Sequence, residues 1–177
     1  MTSISQTQPG NINQLNIVNF EVNFSRLPTV EYFCQRINMP AVILGDTFQP
    51  TPFLNTPVEG DTLVFESVNM SFILDEDMQN YIEMYNWLTA LGFPREYGQF
   101  QTLQDAGTAS EYSSKFSDMD IILNTNKANP NYKVTFNDVF PTSISAVQFD
   151  TTASSLEPIV VDATFNFKGM FNIVKIT

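Results

Sequence analysis

The sequence predicts a mainly β protein, an antiparallel β-barrel or sandwich with one α-helix. Three observations carry this. Roughly seven segments alternate apolar and polar residues with period two, the mark of a strand with one buried face. Only one segment shows helical spacing instead. Sixteen phenylalanines and a hydrophobic share of 43% supply a core, and Pro, Gly and Asn clusters punctuate the segments.

Residues 1–14 are polar and aperiodic and read as a flexible N-terminal arm, leaving 15–177 as a single domain. Val18, Phe20, Val22 and Phe24 then alternate with Asn19, Glu21 and Asn23, which is a strand. Residues 26–29 supply a turn, and 31–37 a shorter strand. Hairpin pairing of the two is the simplest arrangement.

Across residues 39–60 the texture changes, because Pro40, Pro50, Pro52, Pro57, Gly45 and Gly60 deny a continuous strand or helix. Such a long loop has a job or is disordered. Phe48, Pro50, Pro52, Phe53 and Leu54 lie in it. Its apolar residues either fold back onto the domain or dock onto another subunit.

Residues 61–74 return to strand pattern, with Val68, Met70, Phe72 and Leu74 on one face and Ser67, Asn69 and Ser71 on the other. Phe65 and Glu66 are out of phase, which predicts a bulge, the alternative being that Glu66 points into an interface. The helix follows. Asp75 reads as its N-cap, Glu76 and Asp77 suit its first turn, and Gly92 with Pro94 ends it. Met78, Tyr81, Ile82, Tyr85 and Leu88 form an apolar stripe, widened by Met84, Trp87 and Leu91.

Residues 93–117 read as a second long loop, 118–123 as a short strand, and 124–131 as a turn. Tyr132, Val134 and Phe136 alternate again, and Pro141-Thr142-Ser143 breaks the chain before a strand at 144–149. The last strand is the longest, with Val161, Ala163, Phe165, Phe167, Gly169 and Phe171 in alternation.

Chemistry is mostly subtracted. The chain has no histidine, so the commonest general base and metal ligand are missing. Cys34 alone can make neither an internal disulfide nor a cysteine zinc site. Nucleotide-binding, nucleophile-elbow and EF-hand patterns are absent. No catalytic residue, cofactor or metal site is expected. Eight basic against nineteen acidic residues, a net charge of −11, argue against a grip on phosphates. No secretory signal or membrane-spanning run stands out, and one unpaired cysteine suits a reducing compartment.

The polar strand faces are more telling. Asn19, Glu21 and Asn23, then Ser67, Asn69 and Ser71, then Asp162, Thr164 and Asn166 are small and hydrophilic, and their charges are negative. They read either as an ordinary wetted sheet face or as a channel lining that a polyanion passes without sticking.

The order of elements resembles the tail tube proteins of contractile-tailed bacteriophages and, more distantly, the tube protein of type VI secretion systems. The carriers are the opening strand Asn19-Phe20-Glu21-Val22-Asn23-Phe24, then Phe33-Cys34-Gln35 leading to Pro40, and Glu59-Gly60-Asp61-Thr62-Leu63-Val64-Phe65-Glu66 after the proline-rich stretch. Tyr85-Asn86-Trp87-Leu88 in the helix and Phe140-Pro141-Thr142-Ser143-Ile144 before the final strand complete the succession. The resemblance implies a virion structural protein: rings of six copies stacked into a tube inside a contractile sheath, alongside baseplate and tape-measure proteins, passing DNA without binding it. Such a protein is made in the host cytoplasm and carries no membrane anchor. It also implies that the 39–60 loop makes contacts between subunits or stacked rings, and that some polar strand residues face the lumen.

The major tube subunit is the leading expectation. A baseplate tube initiator or tube cap of the same fold is the alternative, followed by a type VI-like tube protein. A carbohydrate-binding β-sandwich is the reading from a different class, and Trp87, the only tryptophan, is expected in the core rather than on a sugar-binding surface.

Overall fold

The computed structural model describes residues 13–92, 95, 98, 101, 115–152 and 157–176. Most of the arm expected over 1–14 and most of the loop expected over 93–117 lie outside them. The described elements run β1 (Phe20–Phe24), α1 (Pro28–Tyr32), β2 (Cys34–Ile37), β3 (Val42–Pro50), β4 (Asn55–Phe65), β5 (Val68–Ile73), α2 (Gln79–Gly92), β6 (Ser117–Asn124), β7 (Pro130–Ile144), β8 (Val160–Asn166) and β9 (Asn172–Lys175). The fold is mainly β and antiparallel, as the alternation predicts.

One seven-stranded sheet runs β1-β6-β7-β8-β5-β2, with β9 also on β7. Strand β7 makes the corner. Its first half pairs β6 and β9, and its second half, from Phe140 on, pairs β8. The bend sits at Asp138, which takes a left-handed φ of 52°, opposite a register shift between Ser117 and Met119. Such a shift re-aims a strand. The two halves therefore close on one core: Phe24 of β1 meets Phe165 of β8 at 5.3 Å between ring centroids. Met70, Phe72, Met119, Val134 and Phe136 are fully buried around them.

Several expectations need correction. Strand β1 pairs β6 and not β2, so the expected hairpin does not exist; residues 28–32 form helix α1, with Pro28 in the first turn, where it lacks no needed N–H. Strand β2 pairs β5 instead. The 39–60 segment is not a loop: β3 and β4 form a long two-stranded ribbon, with Phe48 opposite Pro57 and Pro50 opposite Asn55. A two-stranded ribbon is all edge, so its prolines need not interrupt a central ladder. Gly45 and Gly60 sit at its register shift. A Cβ on Gly60 would lie 2.1 Å from the Gly45 carbonyl oxygen, so only glycine fits.

No bulge lies at Phe65 and Glu66. The chain leaves the ribbon there and enters β5, and the Glu66 N–H donates to Ala41 O at 3.0 Å. Pro141-Thr142-Ser143 does not break β7, which absorbs it as a register shift against β8; residues 145–150 are not strand. The final alternation divides at Gly169, whose φ of 74° turns the chain between β8 and β9.

Asp75 does not cap α2. Met78 takes a left-handed φ of 55°, which a helix cannot pass, so α2 starts at Gln79. Asp75 instead accepts the Glu76 N–H at 2.9 Å. The buried face is Asn80, Met84, Trp87 and Ala90, while Ile82 and Tyr85 of the expected stripe are 43% and 51% exposed. Polar anchoring sets this rotation. Asn80 Nδ2 donates to Ile73 O at 2.7 Å, and the Trp87 indole N–H donates to Lys115 O at 3.3 Å while its ring packs edge-on to Phe24.

Phe165→Ala should lower the unfolding free energy of the monomer by about 3–5 kcal/mol in a denaturant titration. Phe53→Ala on the ribbon should change it by less than about 0.5 kcal/mol.

Candidate functional site

Three surfaces stand out among the described residues. The first is the ribbon. At its tip the Thr51 N–H donates to Leu54 O, and the Leu54 N–H donates to Thr51 Oγ1, each at 3.1 Å, which closes the turn around Pro52 and Phe53. Phe53 is 99% exposed, Leu54 70% and Phe48 61%, with Pro50 and Pro52 exposed beside them. None of the three apolar residues folds back onto the domain. Along the shaft, Val42, Ile43, Leu44, Leu63 and Val64 are also exposed. Asp46 stands directly opposite Glu59, with Asp61 close by in sequence, and no Lys or Arg occurs between residues 41 and 66. Like charges placed opposite one another destabilise a strand pair.

The second surface is a polar patch. Asn69 of β5 pairs with Thr164 of β8, and Ser71 with Asp162. Their side chains bond across the strands: Ser71 Oγ donates to Asp162 Oδ1 at 2.6 Å, and Thr164 Oγ1 to Asn69 Oδ1 at 3.0 Å. Asn38 adds its Oδ1 to the Asn69 N–H, and Ser145 Oγ accepts the Asp162 N–H at 3.0 Å. These groups satisfy one another, so the patch offers few free donors to a phosphate.

Of the nine polar residues that the strand patterns single out, this patch unites four. Ser67 precedes β5, and Asn166 ends β8 opposite Phe140. Asn19, Glu21 and Asn23 belong to the β1–β6 layer instead. There Asn19 Nδ2 donates to Thr125 O at 3.2 Å, Glu21 Oε1 accepts from the buried Asn124 amide at 2.9 Å, and Asn23 lies opposite Asp120. Asp120 in turn holds Lys133 at 2.8 Å.

The third surface is invisible to sequence reasoning. The two ends of the sheet order, β1 and β2, face each other across a groove of about 940 Å³. Its apolar lining includes Leu15, Ile17, Val18, Phe20, Ile37 and Leu123. A second hollow, of about 710 Å³, continues it past Leu15 and Leu123 to Tyr132 and Lys127. On β1 the Phe24 N–H is capped by the Glu31 carboxylate at 2.8 Å and its carbonyl by the Leu27 N–H at 3.1 Å. Backbone groups alternate in direction along an antiparallel strand. Those of Phe20 and Val22 therefore also point away from β6, and they have no partner among the described residues. The β1–β2 hairpin that the sequence suggests would hide both edges, and the groove exists because β1 pairs β6 and β2 pairs β5 instead.

Cys34 lines the groove, and burial pushes its thiol up to about 11, only partly opposed by a hydrogen bond with the Arg36 backbone. Among the described residues no group of three or more His, Cys, Asp or Glu could hold a metal ion. No helix of the described residues is long and apolar enough to cross a membrane. Trp87 is buried and so is no platform for a sugar.

Against known proteins, a family model described as phage tail tube protein matches residues 7–170. The tail tube terminator protein of Enterobacteria phage T4 is 26% identical over 170 residues, covering 93% of this chain and 92% of that protein. Among solved structures, the tube-terminating cap of the anti-feeding prophage aligns with a TM-score of 0.63 at 13% identity, over 99% of this chain and 100% of that one. The sheath–tube complex of an extracellular contractile injection system aligns with a TM-score of 0.60 at 10% identity, over 92% and 93%. At these identities the two structures speak to fold alone.

The raised Cys34 value gives a pH signature. The fold favours the protonated thiol, so this stabilisation is full below about pH 9, where the unfolded chain begins to ionise, and is lost as pH rises to about 11. The denaturation midpoint of the wild type relative to Cys34→Ser should fall across that window; a flat difference would contradict it.

Proposed function

The chain belongs to the phage tail tube protein family, and on that premise we propose that it forms a ring of six copies that terminates the tube of a contractile tail. The observation that carries this is the end-to-end similarity to a tail tube terminator protein, 26% identical with more than nine-tenths of both chains aligned. The geometry supports ring formation. Open strand edges are a liability that pairing between copies removes, and a head-to-tail contact that closes makes a ring. The acidic, self-bonded polar patch suits a lumen wall that DNA passes without binding, and the role is structural rather than enzymatic. The ring sits in the virion tail, made in the host cytoplasm, with the sheath outside it and the baseplate and tape-measure proteins as further tail partners.

A second reading is the major tube subunit, stacked in many rings. One observation favours it: the chain carries both an outreaching apolar ribbon and an apolar groove, the two halves that repeated stacking requires.

Negative-stain microscopy of the purified chain, alone and mixed with preformed tubes of its own tail, separates the readings. The terminator gives single rings alone and one ring at one tube end. Self-elongating tubes would favour the major subunit, and a monomer that persists at all concentrations would overturn both.

A further inference from the structure

We infer that the groove between β1 and β2, with the hollow that continues it, is one site that takes the free carboxyl end of an extended apolar peptide from another protein. The carboxylate sits in the hollow, at Lys127 and Lys175. The inference goes beyond ring formation and stands without it.

The walls set the conformation of the peptide. Outward backbone groups at Phe20 and Val22 offer hydrogen bonds to a segment laid along β1, the mode of β-augmentation. At about 3.4 Å per residue the five residues of β1 extend about 17 Å, room for about five residues of a partner strand. Leu15, Ile17, Val18, Phe20 and Ile37 give that strand exposed or half-exposed apolar surface.

Charge sets its direction. At the Phe24 end of β1 the groove carries the Glu31 carboxylate. Glu21 lines it too, with its carboxylate held by the Asn124 amide, and Arg36 stands on the β2 wall. At the Phe20 end the groove passes into the hollow, where Lys127, Asn126, Asn129 and Asn131 supply donors and none of the described lining residues is acidic. The registers set Phe20, Leu123, Tyr132 and Lys175 side by side on one face of four neighbouring strands, so Lys175 borders the same hollow. Neither Lys127 nor Lys175 has an ion-pair partner among the described residues. In a chain of net charge −11, an acid-free hollow with two such lysines and several amides suits a carboxylate. An antiparallel partner of β1 ends beside Phe20 and delivers its carboxylate to these lysines. A parallel partner would bring it to Glu31, where like charges repel.

A library of random peptides displayed with free carboxyl ends is selected against the full chain, and an enriched sequence is synthesised as the acid and as the carboxamide. In fluorescence anisotropy the acid should bind about tenfold more tightly than the carboxamide. The K127E/K175E variant, with its fold verified by circular dichroism, should lose that difference and prefer a carboxamide peptide extended by a C-terminal lysine. R36A should keep the difference. The bound acid should slow amide exchange across residues 18–24. An empty selection, equal binding of acid and carboxamide, or a difference that survives K127E/K175E overturns the inference. So does binding that disappears as the chain assembles, which would put a second copy in the groove. Each of these outcomes leaves the ring reading standing, because that reading is tested by microscopy of the chain without peptide.

Discussion

Phe65 is the hinge pin on which the functional geometry depends. It closes the ribbon's base, and its ring packs edge-on against Phe167 at 6.2 Å and Phe171 at 5.7 Å, both of which also meet the buried Phe136. This aromatic knot ties the ribbon to the β7 corner and to the β8–β9 connection. Beyond it, the ribbon has little to hold it. An isolated two-stranded hairpin is marginal in water, and this one leaves apolar side chains along its length uncovered and sets Asp46 against Glu59. A well-anchored base with an unsupported shaft is the build of an element completed by a partner.

The bend in β7 determines what that partner can find. By pairing β6 and β9 before Asp138 and β8 after Phe140, β7 folds one sheet into two layers around the Phe24–Phe165 core. The same bend brings the two unpaired ends, β1 and β2, to the sides of one groove rather than to opposite edges of a flat sheet. Closure of the core and creation of the groove are thus consequences of one strand changing partners. The cross-bonded hydroxyls and amides of β5 and β8 occupy a different surface from the ribbon and the groove.

What could be read from the sequence follows from burial. Strands β1, β5, β6 and β8 bury one face, and alternation such as Val68, Met70 and Phe72 against Asn69 and Ser71 reports it directly. The ribbon buries neither face, so burial imposes no alternation, and Pro50 and Pro57 read as breaks where they are tolerated edge residues. Its exposed apolar residues Phe48, Phe53 and Leu54 nonetheless stand out in the sequence by residue type among the prolines. Asp75 looks like a cap on local chemistry, but Met78's backbone decides where α2 begins. Likewise α2 has apolar residues on two faces, and only the hydrogen bonds of Asn80 and Trp87 choose between them. The groove is wholly non-local: it needs the β1–β6 and β2–β5 pairings, which no short window encodes.

The central claim is that the ribbon is covered when the copies assemble. Amide hydrogen exchange followed separately for the monomer and the assembled ring tests it directly across residues 42–65. Strong slowing at the tip and shaft in the ring, with the buried core strands unchanged, is the predicted result. Equal exchange of the ribbon in the two forms would mean that it stays in solvent, and would contradict the claim.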